Sequence, residues 1–188
     1  MKVKSLMIAT ILTAATASAA DPGWRQALQE RLPLLGHRNW IIVADSAFPL
    51  QISPGVETIY TGEDQLTVLE TVMKAMAGTR HITPIVYLDA ELKHVPETRA
   101  PGIDAYRAGL KRALGAKEPR DSLHEDVLKR IDQTGRMYKV LMLKTNMTLP
   151  YTTVFLELDC GYWGPEAEQA MRAAMGGAGA AARARKKR

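Results

Sequence analysis

The segment GHRNWIIVADSAFP (residues 36–49) holds a run of five apolar residues, Trp40, Ile41, Ile42, Val43 and Ala44, between polar or glycine-containing turns. A short apolar run bounded in this way reads as a strand covered on both faces, the kind found in sheets sandwiched between helices. Asp45 stands at the carboxyl end of this strand and His37 in the turn that leads into it. In open α/β sheets ligands bind at the carboxyl edge, where connecting loops and helix starts converge, so Asp45 is a candidate site residue.

Working outward, Trp24, Ala27, Leu28, Leu32 and Leu35 recur at helical spacing over 22–35, which predicts an amphipathic helix that stops at Gly36. Downstream, a proline-containing loop (48–54) and a short strand (56–60) precede a helix over 65–77, capped by Asp64 and ended by Gly78. A second buried strand, 82–88, ends in Asp89. His81 precedes Asp89 by eight residues, as His37 precedes Asp45. This echo reads as the period of an alternating chain, with both residues closing a strand in the ordinary way. A loop over 93–101, a helix over 103–114, a helix over 123–133 opened by the capping box Ser122-x-x-Glu125, and strands over 137–143 and 153–158 follow. Strands alternating with helices predict a single α/β domain, a mostly parallel sheet flanked by helices in Rossmann-like layers. The expected units are a leader (1–20), the α/β domain (21–160), an added helix (161–175) and a disordered basic tail (176–188).

The chain has 188 residues, enough for one domain with its own core. Its net charge of +5 belongs to the ends. Without Lys2, Lys4 and the five basic residues of the last six positions, 18 basic residues face 20 acidic ones. A basic nucleic-acid-binding face on the domain is therefore not expected. Residues 1–20 carry a positive start, an apolar stretch and small residues at 17–20, the pattern of a signal peptide cleaved near Ala19 or Ala20. No later stretch is apolar enough to span a membrane as a helix. In a bacterium the mature chain would be periplasmic or secreted. The lone Cys160 has no partner for an internal disulfide and reads as a small buried hydrophobe.

No glycine-rich phosphate loop precedes a helix, no Cys/His cluster has zinc spacing, and no Gly-x-Ser-x-Gly elbow is present. Nucleotide use and serine-hydrolase chemistry are not expected. Gly36, His37, Asn39, Asp45, Phe48 and Pro49 together resemble the signature of the sugar mutarotases that include D-ribose pyranase and L-fucose mutarotase, with the same spacing of eight between His and Asp. Ser46 takes the place of a small residue such as Ala. The family's second motif, Tyr-x-Asn before the last strand, is matched by Tyr151-Thr152-Thr153, where Thr153 keeps a hydroxyl but lacks the amide's two donors and acceptor. The resemblance covers roughly residues 25–158.

The resemblance implies a cofactor-independent isomerase that interconverts anomers, or pyranose and furanose forms, of a ribose- or fucose-like monosaccharide. It implies homo-oligomeric rings with sites at subunit interfaces. It makes His37 and Asp45 the catalytic candidates, with Tyr151 and Thr153 holding the sugar. The family also places a His, Arg or Lys on the helix before the third strand; of His124, Lys129 and Arg130, His124 is chosen because it lies near a helix start. Two acid/base groups suffice for this chemistry, with no metal. Eight extended residues span about 26 Å, so His37 and Asp45 serve one sugar only if the turn folds back or two subunits share the site. Two rivals stand beside this reading: a non-catalytic monosaccharide-binding module of the same fold, and a surface-associated protein whose basic tail is drawn to anionic polymers.

Overall fold

A computed structural model describes residues 23–186; the expected leader, 1–20, lies outside the described residues. Its chain runs α1 (Trp24–Arg31), β1 (Trp40–Ala44), β2 (Val56–Tyr60), α2 (Gln65–Ala77), β3 (Ile82–Asp89), α3 (Ile103–Leu114), β4 (Arg120–Ser122), α4 (His124–Met137), β5 (Val140–Lys144), β6 (Val154–Cys160) and α5 (Pro165–Lys186). The strands form one sheet in the order β2-β5-β1-β6-β3-β4. Neighbours are parallel except at β6, which runs antiparallel to both β1 and β3.

Every residue of β1 is buried, as its unbroken apolar run requires. Ile41 and Val43 point to one face, where Leu28, Val68, Leu69, Val72, Ile103 and Leu110 of α1, α2 and α3 pack. Trp40, Ile42 and Ala44 point to the other, against Val127 and Ile131 of α4. The alternation of side chains along a strand thus divides the core into two layers.

Several boundaries differ from those expected. Pro33 cannot donate to a helical ladder, so α1 ends at Arg31 and a 3-10 turn, Leu32–Leu34, completes the segment. Asp64 caps α2 as expected, accepting from the N–H groups of Leu66 and Thr67. The Ser122–Glu125 capping box does not form. Ser122 instead ends β4, Leu123 is the N-cap of α4, and the Glu91 carboxylate takes the His124 N–H. Met137 belongs to α4 rather than to the following strand. α5 spans Pro165–Lys186, an alanine-rich stretch, and alanine has the highest helix propensity of the residues.

Gly55 locks the loop after β1 onto the end of α4. Its N–H donates to Gly135 O and its carbonyl accepts from Val140 N–H, at 2.8 and 3.0 Å. A Cβ here would be driven into the carbonyl oxygens of Tyr138 and Gly135. Gly55→Ala is therefore expected to lower stability by about 1–3 kcal/mol, read as an earlier urea midpoint at unchanged slope.

Candidate active site

Three strands deliver side chains to one edge of the sheet. β1 and β3 end there, β1 just before Asp45 and β3 in Asp89, and antiparallel β6 begins there, so Tyr151 and Thr153 arrive beside them. β4 is only three residues long, yet its parallel pairing sets Ser122 opposite Asp89. The chain then turns directly into α4, whose first residue is His124. Asp45, Phe48, His124 and Tyr151 line a cleft of about 450 Å³ at this edge.

Asp45 is nearly buried and tightly held. Its Oδ1 accepts the Ala47 N–H at 2.9 Å, the turn-capping role open to any Asp after a strand. Its Oδ2 accepts from the Thr153 hydroxyl at 2.7 Å, and the same hydroxyl oxygen accepts the Asp45 N–H at 3.1 Å. Each carboxylate oxygen keeps lone-pair capacity toward the cleft. Thr153 is fully buried, its one hydroxyl proton goes to Asp45 and the hydroxyl oxygen accepts the Asp45 N–H. It thus sets the carboxylate's position, whereas the sequence motif leads one to expect a direct contact with ligand.

The floor under these residues is polar, and all its side-chain polar atoms but Gln65 Oε1, which is buried without a partner among the described residues, are hydrogen-bonded. Tyr106 donates to Thr152 O at 2.6 Å, and Gln65 Nε2 donates to Val43 O and Thr152 O at 3.0 and 2.7 Å. Burial holds the Tyr106 phenol well above its ordinary range, so it stays protonated and keeps the proton it donates to Thr152 O.

His124 faces the cleft between two aromatic rings. Phe48 and Tyr151 meet it edge-on, at 6.2 and 5.7 Å between centroids. Tyr151 adopts a left-handed backbone, φ 58°, a conformation that costs a bulky side chain energy and is tolerated where the surroundings fix it. Behind His124, Asp89 Oδ2 lies 3.1 Å from Nδ1. The Asp89 side chain is wholly buried and its Oδ1 has no hydrogen-bond partner among the described residues. Burial, resisted by the pull of His124, pushes this carboxyl up to about 6.

His37 is elsewhere. It is exposed at the amino edge of β1, in a cleft with Arg120, Asp159, Cys160 and Trp163. The five residues of β1, about 17 Å of extended chain, separate it from Asp45, so the two do not meet in one copy. His81 is tied to the chain before β1, its Nε2 3.1 and 3.3 Å from the carbonyls of Leu35 and Leu32. Arg130 pairs with Glu157 at 2.9 Å and lies over Trp40 and Tyr87, away from the cleft. Lys129 pairs with Asp126. Among the described residues no group of three or more His, Cys, Asp or Glu could hold a metal ion, and no helix is long and apolar enough to cross a membrane.

Among solved structures, RbsD of Bacillus subtilis complexed with D-ribose aligns with 71% of this chain and 91% of its own, at a TM-score of 0.52 and 16% identity. The chain has the RbsD fold. FucU of Bifidobacterium longum aligns with 71% of this chain and 94% of its own, at a TM-score of 0.50 and 16% identity. No family model matches the sequence, and no curated protein matches it. At this identity the likeness extends to the architecture of RbsD and FucU.

Asp89 is the residue that the sequence pattern hides. The rule that selects Asp45, an acid at a strand's carboxyl end, applies equally to it. Only the pairing of β4 with β3 shows that His124 is its neighbour.

Proposed function

We propose that this chain interconverts cyclic forms of a monosaccharide, either anomers or pyranose and furanose rings, by acid/base chemistry in the cleft of Asp45, His124 and Tyr151. The observation that carries the reading is the convergence of these residues, from segments far apart in sequence, on one cleft in a fold shared with a D-ribose-bound protein. Opening a sugar ring moves a proton from the anomeric hydroxyl to the ring oxygen. The O–H electrons become the second bond of the carbonyl while the bond from that carbon to the ring oxygen breaks. An imidazole suits both transfers because its proton affinity lies near neutrality.

In this reading Asp45 accepts sugar hydroxyls through its free lone pairs, with Thr153 fixing its position. Tyr151 offers an aromatic face to the ring. His124 exchanges the proton. His37 acts on the cleft of a second copy, in the homo-oligomer that the sequence resemblance implies. Export completes the proposal and rests on the pattern of residues 1–20; N-terminal sequencing of the mature chain tests it, with a start after Ala19 or Ala20 expected.

The sugar reading is tested by exchange spectroscopy on D-ribose and L-fucose. Asp45→Ala is expected to weaken sugar binding at least tenfold, since it removes the carboxylate that charge-assisted hydrogen bonds require. Saturable binding without faster exchange would favour the binding module. That second reading draws on Thr153, whose hydroxyl is committed to Asp45 where the family has an amide.

A further inference from the structure

The buried carboxylate of Asp89 lies behind His124 and outside the lining of the Asp45 cleft, and the residue borders a second cleft of about 320 Å³ with Leu92, Lys93 and Arg107. We propose that Asp89 is the positioning residue that makes His124 the proton carrier of the cleft, by fixing the imidazole with its proton on Nδ1 and its bare Nε2 toward the sugar. The inference rests on the sugar-interconverting reading and assigns that site its acid/base machinery.

Three features of the geometry converge on it. First, an ionised carboxylate only accepts, so at 3.1 Å the Nδ1 atom must be the donor, and a neutral ring then leaves Nε2 as its lone-pair nitrogen. Second, Asp89 Oδ1 is buried without a partner, so among the described residues the His124 N–H is the one side-chain donor the carboxylate has. An orphaned buried oxygen costs free energy and calls for a reason; a carboxylate with a single donor holds that donor strongly. Third, the ring is fixed in orientation. Phe48 and Tyr151 bracket it, and Glu91 accepts the His124 backbone N–H through both oxygens at 3.2 Å.

The groups facing the pair are Asp45 from the end of β1, Glu91 from the turn after β3, Tyr106 from α3 and Tyr151 from the loop before β6. On its other side Asp89 borders a cleft with Lys93, Arg107, Lys111 and Lys117, of which Lys93 pairs with Asp121 and Arg107 with Asp104. The burial that raises Asp89 to about 6 leaves it ionised at neutral pH and protonated in mild acid. Exchange should therefore fall as pH drops below about 6, when Asp89 no longer demands the Nδ1 proton.

The test combines two readouts. Nitrogen-15 NMR of the His124 ring at about pH 7.5, without sugar, should show a neutral imidazole with the proton on Nδ1. In Asp89→Asn the amide can donate to Nδ1 instead, and the proton should move to Nε2 in a large share of molecules. Sugar exchange should then slow by about 100-fold at saturation with little change in KM, because a general base in the wrong tautomer loses most of its effect. A ring found with a bare Nδ1 in the wild-type protein overturns the proposal, and so does an Asp89→Asn variant with an unchanged exchange rate and acid limb. The wild-type spectrum needs no variant to fold. If no sugar exchanges faster with the wild-type chain, the functional reading fails, while the ring spectrum still decides for or against the Asp89–His124 pairing.

Discussion

His124→Gln should slow sugar exchange by about 100- to 1,000-fold while leaving the fold intact, the range lost when a single positioned acid/base group is removed. Glutamine can fill the space and donate a hydrogen bond to Asp89, but it does not exchange a proton near neutral pH. The effect should fall on kcat. In the proposed reading binding draws on Asp45, which lies at β1's exit and is held by Thr153, and on Tyr151, whose ring meets that of residue 124 but whose backbone belongs to the loop before β6. The helix start is also independent of the substitution, because Glu91 holds the backbone N–H of residue 124, not its side chain. Steady-state exchange rates at several sugar concentrations separate the two parameters; an increase in KM with unchanged kcat would make His124 a binding group only.

Asp89→Asn should stabilise the folded chain by about 2–3 kcal/mol near pH 8 and by almost nothing near pH 4. Burial raises the folded-state carboxyl from 3.8 to about 6, and every tenfold gain in proton affinity corresponds to about 1.4 kcal/mol. The sign follows from proton counting. Between about pH 4 and 6 the folded state holds a proton that the unfolded state has released, so stability falls as pH rises through this window and stays reduced above it. Asparagine matches the protonated acid in shape and carries no charge, so it removes that penalty where the penalty exists. Urea unfolding of both proteins at the two pH values measures the difference of differences. Equal shifts at both, or a less stable variant in the alkaline measurement, would contradict the electrostatic account of Asp89. Together with the slowed exchange expected of the same substitution, the result would mark Asp89 as a residue retained at a cost in stability.

Much of the architecture is readable from residues because burial imposes it. The run from Trp40 to Ala44 has no polar face, so it must lie inside a sheet covered on both sides, and it does. Asp64 followed by the spaced apolar residues of 65–77 marks a helix start to the residue. Strand direction is different. The periodicity of β6 is the same whichever way it runs, and its antiparallel insertion between β1 and β3 carries Thr153 to Asp45. β4 leaves no trace in the pattern, since Arg120, Asp121 and Ser122 are polar and are strand only because the end of β3 offers a free edge.

The candidate site is legible in part for the same reason. His37 and Asp45 stand out as residues, and counting along an extended strand places them too far apart to share a sugar within one copy. The engagement of the Thr153 hydroxyl with Asp45 depends on register, which a single sequence does not state. Asp89 looks like one half of a repeat because His81 stands eight residues before it; that histidine's bonds to Leu32 and Leu35 show that the two halves do different work.

The most direct measurement is saturation-transfer NMR on the purified chain with D-ribose, L-fucose and common hexoses near neutral pH. One ring form is saturated and the loss of signal in the others is followed with and without protein. The account predicts catalytic acceleration for at least one sugar, proportional to protein concentration and suppressed in His124→Gln. A folded chain that leaves every sugar at its spontaneous rate would contradict it.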